Sequence, residues 1–215
     1  MKTRFFLFLL LPLMLLTSRS NASTENIEFD VYLNNKRIGQ HTVTIDTVDN
    51  QKRVSVAANF AVKYLAIPFY RYEHTSDETW SGGCIQSVST RTNDNGTKLS
   101  IDSEPNPPSL KVITKTGSQS LPGCVRTFAY WNPNLLDNSF LLNTQTGDYE
   151  QTILNKASES PLVFKGKQYG DQQYRLNVED KPDIDLWYSN DEDWLALQTS
   201  VSKGNTLTYV KRQVN

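Results

Sequence analysis

Two cysteines, Cys84 and Cys124, and two histidines, His41 and His74, are the residues through which this 215-residue chain could carry out nucleophilic or proton-transfer chemistry. A cysteine nucleophile needs a neighbouring base, so a hydrolase or transferase built on Cys124 would have to recruit His74 or His41. The other reading is a bond between the two sulfurs. An even pair of cysteines in an exported chain reads as a disulfide, and Cys84 bonded to Cys124 is the preferred expectation. It would close a loop of about 40 residues and stabilise the fold by roughly 4 kcal/mol. Both histidines lie in strand-like segments, where they read as surface or internally satisfied residues. The sequence contains no GxSxG, HExxH, CxxC or phosphate-cradling glycine pattern. No catalytic residue, metal ligand or cofactor is assigned.

Carboxylates and aromatic rings are the remaining chemical groups. The stretch EDKPDIDLWYSNDEDW, Glu179 to Trp194, sets Asp183 and Asp185 two apart on one strand face. Its spacing does not match a calcium loop, and charges facing water explain it. The stretch LPGCVRTFAYWNP, Leu121 to Pro133, is richer. An extended backbone would send Cys124, Arg126, Phe128 and Tyr130 to one side and Val125, Thr127, Ala129 and Trp131 to the other. An arginine among rings can hold the carboxylate or phosphate of a lipid whose tail lies along the aromatic wall. The candidate ligand-binding set is therefore Trp80, Arg126, Phe128, Tyr130 and Trp131. The competing reading makes these rings core packing.

The elements that must position these groups are strands. Ile27, Phe29, Val31 and Leu33 alternate with polar residues, and Val54, Val56, Ala58, Phe60 and Val62 share one face. Extended runs follow over residues 69–78, 85–92, 98–102, 110–114, 149–154, 174–178, 184–188, 195–201 and 207–211. Asn34-Asn35, Asp49-Asn50, Asn95-Gly96, Thr116-Gly117 and Lys203-Gly204-Asn205 supply turns between them. The cluster of Pro105, Pro107 and Pro108 marks a stiff loop. Asn132-Pro133 offers a helix cap followed by proline at the first helical position, so a short helix is expected there. The fold class is all-β, a curved antiparallel sheet or partly open up-and-down β-barrel with one short helix.

Lys2 and Arg4, an apolar run from Phe5 to Thr17 and the small-residue end Ser20-Asn21-Ala22 follow the order of a secretory signal peptide, with cleavage expected after Ala22. The run is broken by Pro12 and falls short of the roughly 20 residues that a membrane span needs. Residues 1–22 are thus expected to be a leader and residues 23–215 a single domain, periplasmic or secreted, without stable membrane insertion. Loss of Lys2, Arg4 and Arg19 would lower the formal charge from −1 by three, to −4. Nucleic-acid binding would want a basic excess or stripe, and the chain has neither.

Five segments belong together: FDVYLNNKRIG, WSGGCIQSVSTRTNDNG, LPGCVRTFAYWNP, LLNTQTGDYE and IDLWYSNDEDWLALQT. They resemble a bacterial family of exported β-rich proteins, domain of unknown function 6134, over nearly the whole mature chain. The resemblance implies an exported β-rich fold and carries no mechanism. The expected function is an exported binder or carrier of a lipid or other apolar small molecule. A cysteine-dependent hydrolase or transferase and an envelope protein-interaction module are the alternatives.

Overall fold

Alternating sequences become long antiparallel strands because one face can leave water while the other stays in it. The computed structural model describes residues 22–64, 67–132, 135, 139–201 and 204–213. Its strands are β1 (Ala22–Leu33), β2 (Lys36–Val48), β3 (Gln51–Tyr64), β4 (Ile67–Ser81), β5 (Cys84–Asp94), β6 (Thr97–Asn106), β7 (Ser109–Thr114) and β8 (Gly117–Pro122). The second half of the chain adds β9 (Phe140–Leu142), β10 (Tyr149–Ser158), β11 (Leu162–Phe164), β12 (Lys167–Tyr169), β13 (Gln172–Val178), β14 (Ile184–Tyr188), β15 (Trp194–Val201) and β16 (Asn205–Lys211).

Fourteen of these strands form one sheet in the order β8-β7-β6-β5-β4-β3-β2-β1-β16-β15-β14-β13-β10-β9. The antiparallel fold expected from the sequence is present. The two-residue turns at Asp49-Asn50, Gly82-Gly83 and Asn95-Gly96 hold both residues at positive φ, the conformation that matches the twist of a tight hairpin. Gly39 has a different role. A Cβ there would lie 2.0 Å from the Asn59 carbonyl oxygen of β3, so β2 can approach β3 at this point only without a side chain.

The sheet curls without closing, and its end strands β8 and β9 are not paired with each other. Residues 123–132, which follow β8, cross into the gap. Ile85 N–H of β5 donates to Val125 O at 2.9 Å, and Leu142 N–H of β9 donates to Arg126 O at 2.8 Å. A parallel bridge joins Thr127 to Leu142. The Cys84–Cys124 disulfide, with Cα atoms 5.1 Å apart, fastens this crossing segment where it enters. The loop between β9 and β10 lies under the other end of the sheet, where Gln119 Nε2 donates to Gly147 O at 2.5 Å.

Several expectations change in detail. The short helix from Asn132 falls largely on residues 133, 134 and 136–138, which lie outside the described residues. The part that is described makes single turns, with Asn132 N–H to Ala129 O at 2.8 Å and Leu135 N–H to Asn132 O at 3.0 Å. Pro105 belongs to β6 and not to a loop. The pairing of β6 with β5 ends at Asp102, and beyond it β7 alone pairs with β6. A residue without an N–H fits there. The short strands β8, β9, β11 and β12 were not legible in the sequence.

The interior is filled from both halves of the sheet by Phe29, Val43, Ile101, Leu141, Leu176 and Leu186, among others. A second apolar layer lies on the outer face. There the β11–β12 hairpin sets Leu162, Phe164 and Tyr169 against Trp187, Ala196 and Val210.

Candidate functional site

Strand β4 turns Tyr72, His74, Ser76, Glu78 and Trp80 inward at every second position, and all but Tyr72 are buried. Cross-strand register then builds a row around His74. Phe29 pairs with His41, His41 with Ala58, Ala58 with His74, and His74 with Thr92. Two histidines 33 positions apart in sequence thus share one inner face, about 10 Å apart by strand spacing.

Hydrogen bonds satisfy most of this polar wall. His74 Nδ1 and Thr92 Oγ1 lie 2.8 Å apart. Ser76 Oγ and Trp80 Nε1 both donate to the Glu78 carboxylate at 2.7 Å. Burial raises the Glu78 pKa above its ordinary value, and these two bonds oppose the shift only in part. Burial pushes His74 down to about 4. His41 is also pushed down to about 4, by burial first and by the neighbouring His74 second. Its ring sits against Phe29, Trp194 and Tyr209 at 6.2, 6.0 and 5.6 Å. Both histidines are therefore neutral at pH 7.

Two spaces that share lining residues lie beside this wall. A cavity of about 100 Å³ reaches His41, Glu78 and Trp194. A cleft of about 350 Å³ opens between β4 and the β13–β15 side of the sheet. His74, Phe128, Tyr130 and Thr144 line both. Phe128 and Tyr130 come from the crossing segment, which is held by Tyr188 Oη donating to Tyr130 O at 2.9 Å. Gln145 and Glu150 come from the β9–β10 loop and the start of β10. Tyr72 Oη donates to Gln145 Oε1 at 3.0 Å, and Lys181 Nζ donates to Glu150 Oε1 at 2.5 Å. A wider groove of about 620 Å³ passes Glu73, Arg91 and Lys98. Those three residues are exposed, while the buried His74 and Thr92 also line the groove.

The chain matches, over residues 29–212, the family described as Domain of unknown function (DUF6134). It belongs to that family. The resemblance carried by the five segments is thereby established for the DUF6134 chain. No curated protein matches it. Among solved structures it is similar to a β-barrel-like protein of the domain of unknown function DUF1849 from Brucella abortus, with a TM-score of 0.60 and 7% identity. The alignment covers 88% of this chain and 96% of the other. At that identity the likeness concerns the fold alone: a large, curled antiparallel sheet.

Within this DUF6134 fold the residues expected at a site separate into groups. Cys84 and Cys124 are bonded to each other, so a cysteine-nucleophile mechanism has no thiol to use. Phe128 and Tyr130 line the cleft as one face of the crossing segment, while Val125, Thr127 and Ala129 are buried on the other. Trp131 does not line the cleft but lines the smaller cavity with them, edge-on to Trp80 at 5.3 Å and under Lys52 Nζ at 5.2 Å. Trp80 is fully buried and donates to Glu78, which makes it part of the wall's support. Arg126 lines neither the cleft nor the smaller cavity. The charged pair of the cleft is Lys181 and Glu150 instead. Asp183 and Asp185 are engaged by Arg175, which contacts Asp185 at 2.8 Å and Asp183 at 4.0 Å. Among the described residues no group of three or more His, Cys, Asp or Glu is arranged to hold a metal ion.

The sequence reading missed Tyr72, Gln145, Glu150 and Lys181, and weighed His74 only as a base for a cysteine nucleophile or as a satisfied residue. A signal existed for Tyr72 and His74 as lining residues. In RYEHTSDETW the residues Tyr72, His74, Ser76, Glu78 and Trp80 alternate strictly, and an aromatic residue at each end marks that face as the buried one. The remaining three lie in loops or at a strand start, where no periodicity applies.

Proposed function

We propose that this protein is an exported, non-enzymatic binder of a small amphiphilic molecule, which enters the cleft between β4 and the β13–β15 side of the sheet. The cleft itself is the observation that carries the reading. It has about 350 Å³ of space, with rings from Phe128 and Tyr130 on one wall and neutral polar groups such as His74 and Gln145 on the others. A concave site with apolar walls and a few placed polar groups is the usual form of a small-ligand site. The mixed lining favours a molecule with a polar head and an apolar body over a bare hydrocarbon. Export is supported by the disulfide, which persists in oxidising compartments. No helix among the described residues is long and apolar enough to cross a membrane.

The test is native mass spectrometry of protein released from its own cells, combined with Nile red titration of the purified protein. The expected result is a retained small-molecule adduct and a blue-shifted Nile red signal that Phe128→Ala weakens. A bare protein mass together with no Nile red signal would remove the binder reading. It would leave the protein-interaction reading in its place.

A further inference from the structure

Another concavity, of about 440 Å³, lies at the end of the sheet where the β2–β3 and β4–β5 turns run side by side. It shares no lining residue with the cleft and only Trp131 with the smaller cavity. Register sets Thr47 against Lys52 and Lys52 against Trp80, so these three side chains share one face. The turns add Asn50 and Ser81, and the crossing segment closes the far side with Trp131 and Asn132. Among the described lining residues Lys52 alone carries a charge. Its ammonium stands 5.2 Å from the centre of the Trp131 ring, and it makes no ion pair with a carboxylate among the described residues. The side chains of Thr47, Asn50 and Ser81, each able to donate, make no hydrogen bond among the described residues either. Thr47, Lys52 and Ser81 are half-buried and Asn50 is exposed, so a molecule in solution can reach all four.

We infer that this concavity is a second binding site, which takes a small hydrophilic molecule bearing a carboxylate or phosphate group. Lys52 meets the anionic oxygens, and hydrogen bonds to a charged partner are shorter and stronger than neutral ones. Thr47, Asn50 and Ser81 bond to the remaining oxygens or to hydroxyls around them. The Trp131 face holds the ammonium in place while the site is empty, because an aromatic face attracts a cation. No carboxylate lines the walls to repel an anion, and Asp49 of the β2–β3 turn is not part of the lining. Trp80 is buried with its N–H committed to Glu78, and Lys52 stands over Trp131. Little apolar surface is left for a lipid tail, so the ligand is a soluble molecule and not the amphiphile of the cleft. The inference stands on its own residues, whether or not the cleft binds.

Tryptophan fluorescence at pH 7 reads this site, because Trp131 borders both Lys52 and the concavity. Glucose 6-phosphate and gluconate should change the emission saturably, and glucose, which lacks the anion, should need roughly tenfold higher concentrations. Lys52→Met keeps the aliphatic stem and should remove the preference for the anions. Ser81→Ala deletes one hydroxyl at a half-buried position and should weaken both anions several-fold, which keeps the test alive if the lysine variant does not fold. Far-UV circular dichroism should match the wild type in each variant used. A wild type that responds to neither anion overturns the inference, as does a response that glucose equals or that survives Lys52→Met or Ser81→Ala unchanged. A response to phosphatidylglycerol vesicles and to neither soluble anion also overturns it, and assigns Lys52 to a lipid surface.

Discussion

The inner faces of β1–β3 and of β4–β5 are built on the same strand geometry, but the first is apolar apart from His41 and the rim pair Thr47 and Lys52, while the second sets polar groups among Trp80, Ile85 and Val88. On the first, Ile27, Phe29, Val31, Val43, Ile45 and Val54 are buried and apolar. On the second, the buried positions include His74, Ser76, Glu78, Thr90 and Thr92. Apolar burial stabilises directly, by about 25 cal/mol per Å². Polar burial stabilises only where each group finds a partner. The bonds from Ser76 and Trp80 to Glu78, and the His74–Thr92 contact, satisfy that requirement. A sheet held together by its first half can thus tolerate a polar interior in its second. The cleft opens beside that second half.

The comparison can be broken first on its apolar side. Phe29 is fully buried, its ring tilted against Trp194 at a centroid distance of 4.0 Å. Phe29→Ala should cost about 3–5 kcal/mol, measured by urea unfolding. If this half only stabilises, Nile red binding to the folded fraction should be unchanged. The disulfide comes next, because it ties the crossing segment to β5 beside the polar half. Cys84→Ser and Cys124→Ser should each lower stability by about 4 kcal/mol in the chain-entropy model, and by similar amounts, since each opens the same loop of separation 40. Each should also weaken Nile red binding, because Phe128 and Tyr130 depend on that anchorage. Unequal losses, or intact binding, would separate the cleft from the bond.

The smallest effect sharpens the polar side. Both histidines are pushed down to about 4 in the fold by burial, against an ordinary value near 6.5 in the unfolded chain. Below pH 6.5 the unfolded chain takes up protons that the folded one refuses, so stability falls as pH drops from 6.5 towards 4. The loss between pH 7 and 5 should be roughly 2 kcal/mol per histidine. Glu78 acts in the opposite sense, since its raised pKa adds stability as pH falls. Comparing wild type with His74→Gln at the two pH values isolates the histidine term, and the variant should lose about 2 kcal/mol less. Equal losses would mean that His74 is not held neutral by the fold.

Much of the architecture was legible in the sequence. The alternation in residues 27–33 and 54–62, the Asn95-Gly96 turn and the cysteine pair each reflect a local rule, period two, positive φ or an even thiol count, and each holds in the structure. The short strands β9, β11 and β12, of three residues each, escaped because such runs are too brief to show a period. The site was legible only in part. Phe128 and Tyr130, read from the sequence as one face of LPGCVRTFAYWNP, both line the cleft. Arg126 was placed with them because an extended segment sorts residues by parity alone.

The sequence by itself determined the longer strands, most of their turns, the inward positions of β4 and the sulfur pair, because these depend on neighbours a few residues apart or on composition. Tertiary structure decided the rest. The sheet's curl brings Tyr72 and His74 of β4 opposite Glu150 of β10 and Lys181 of the β13–β14 turn, over separations that no local pattern encodes. It also decided that the cleft's charges come from Glu150 and Lys181 and not from Arg126. Parity says which side of its own strand a residue faces, and only the path of the whole chain says what stands across from it.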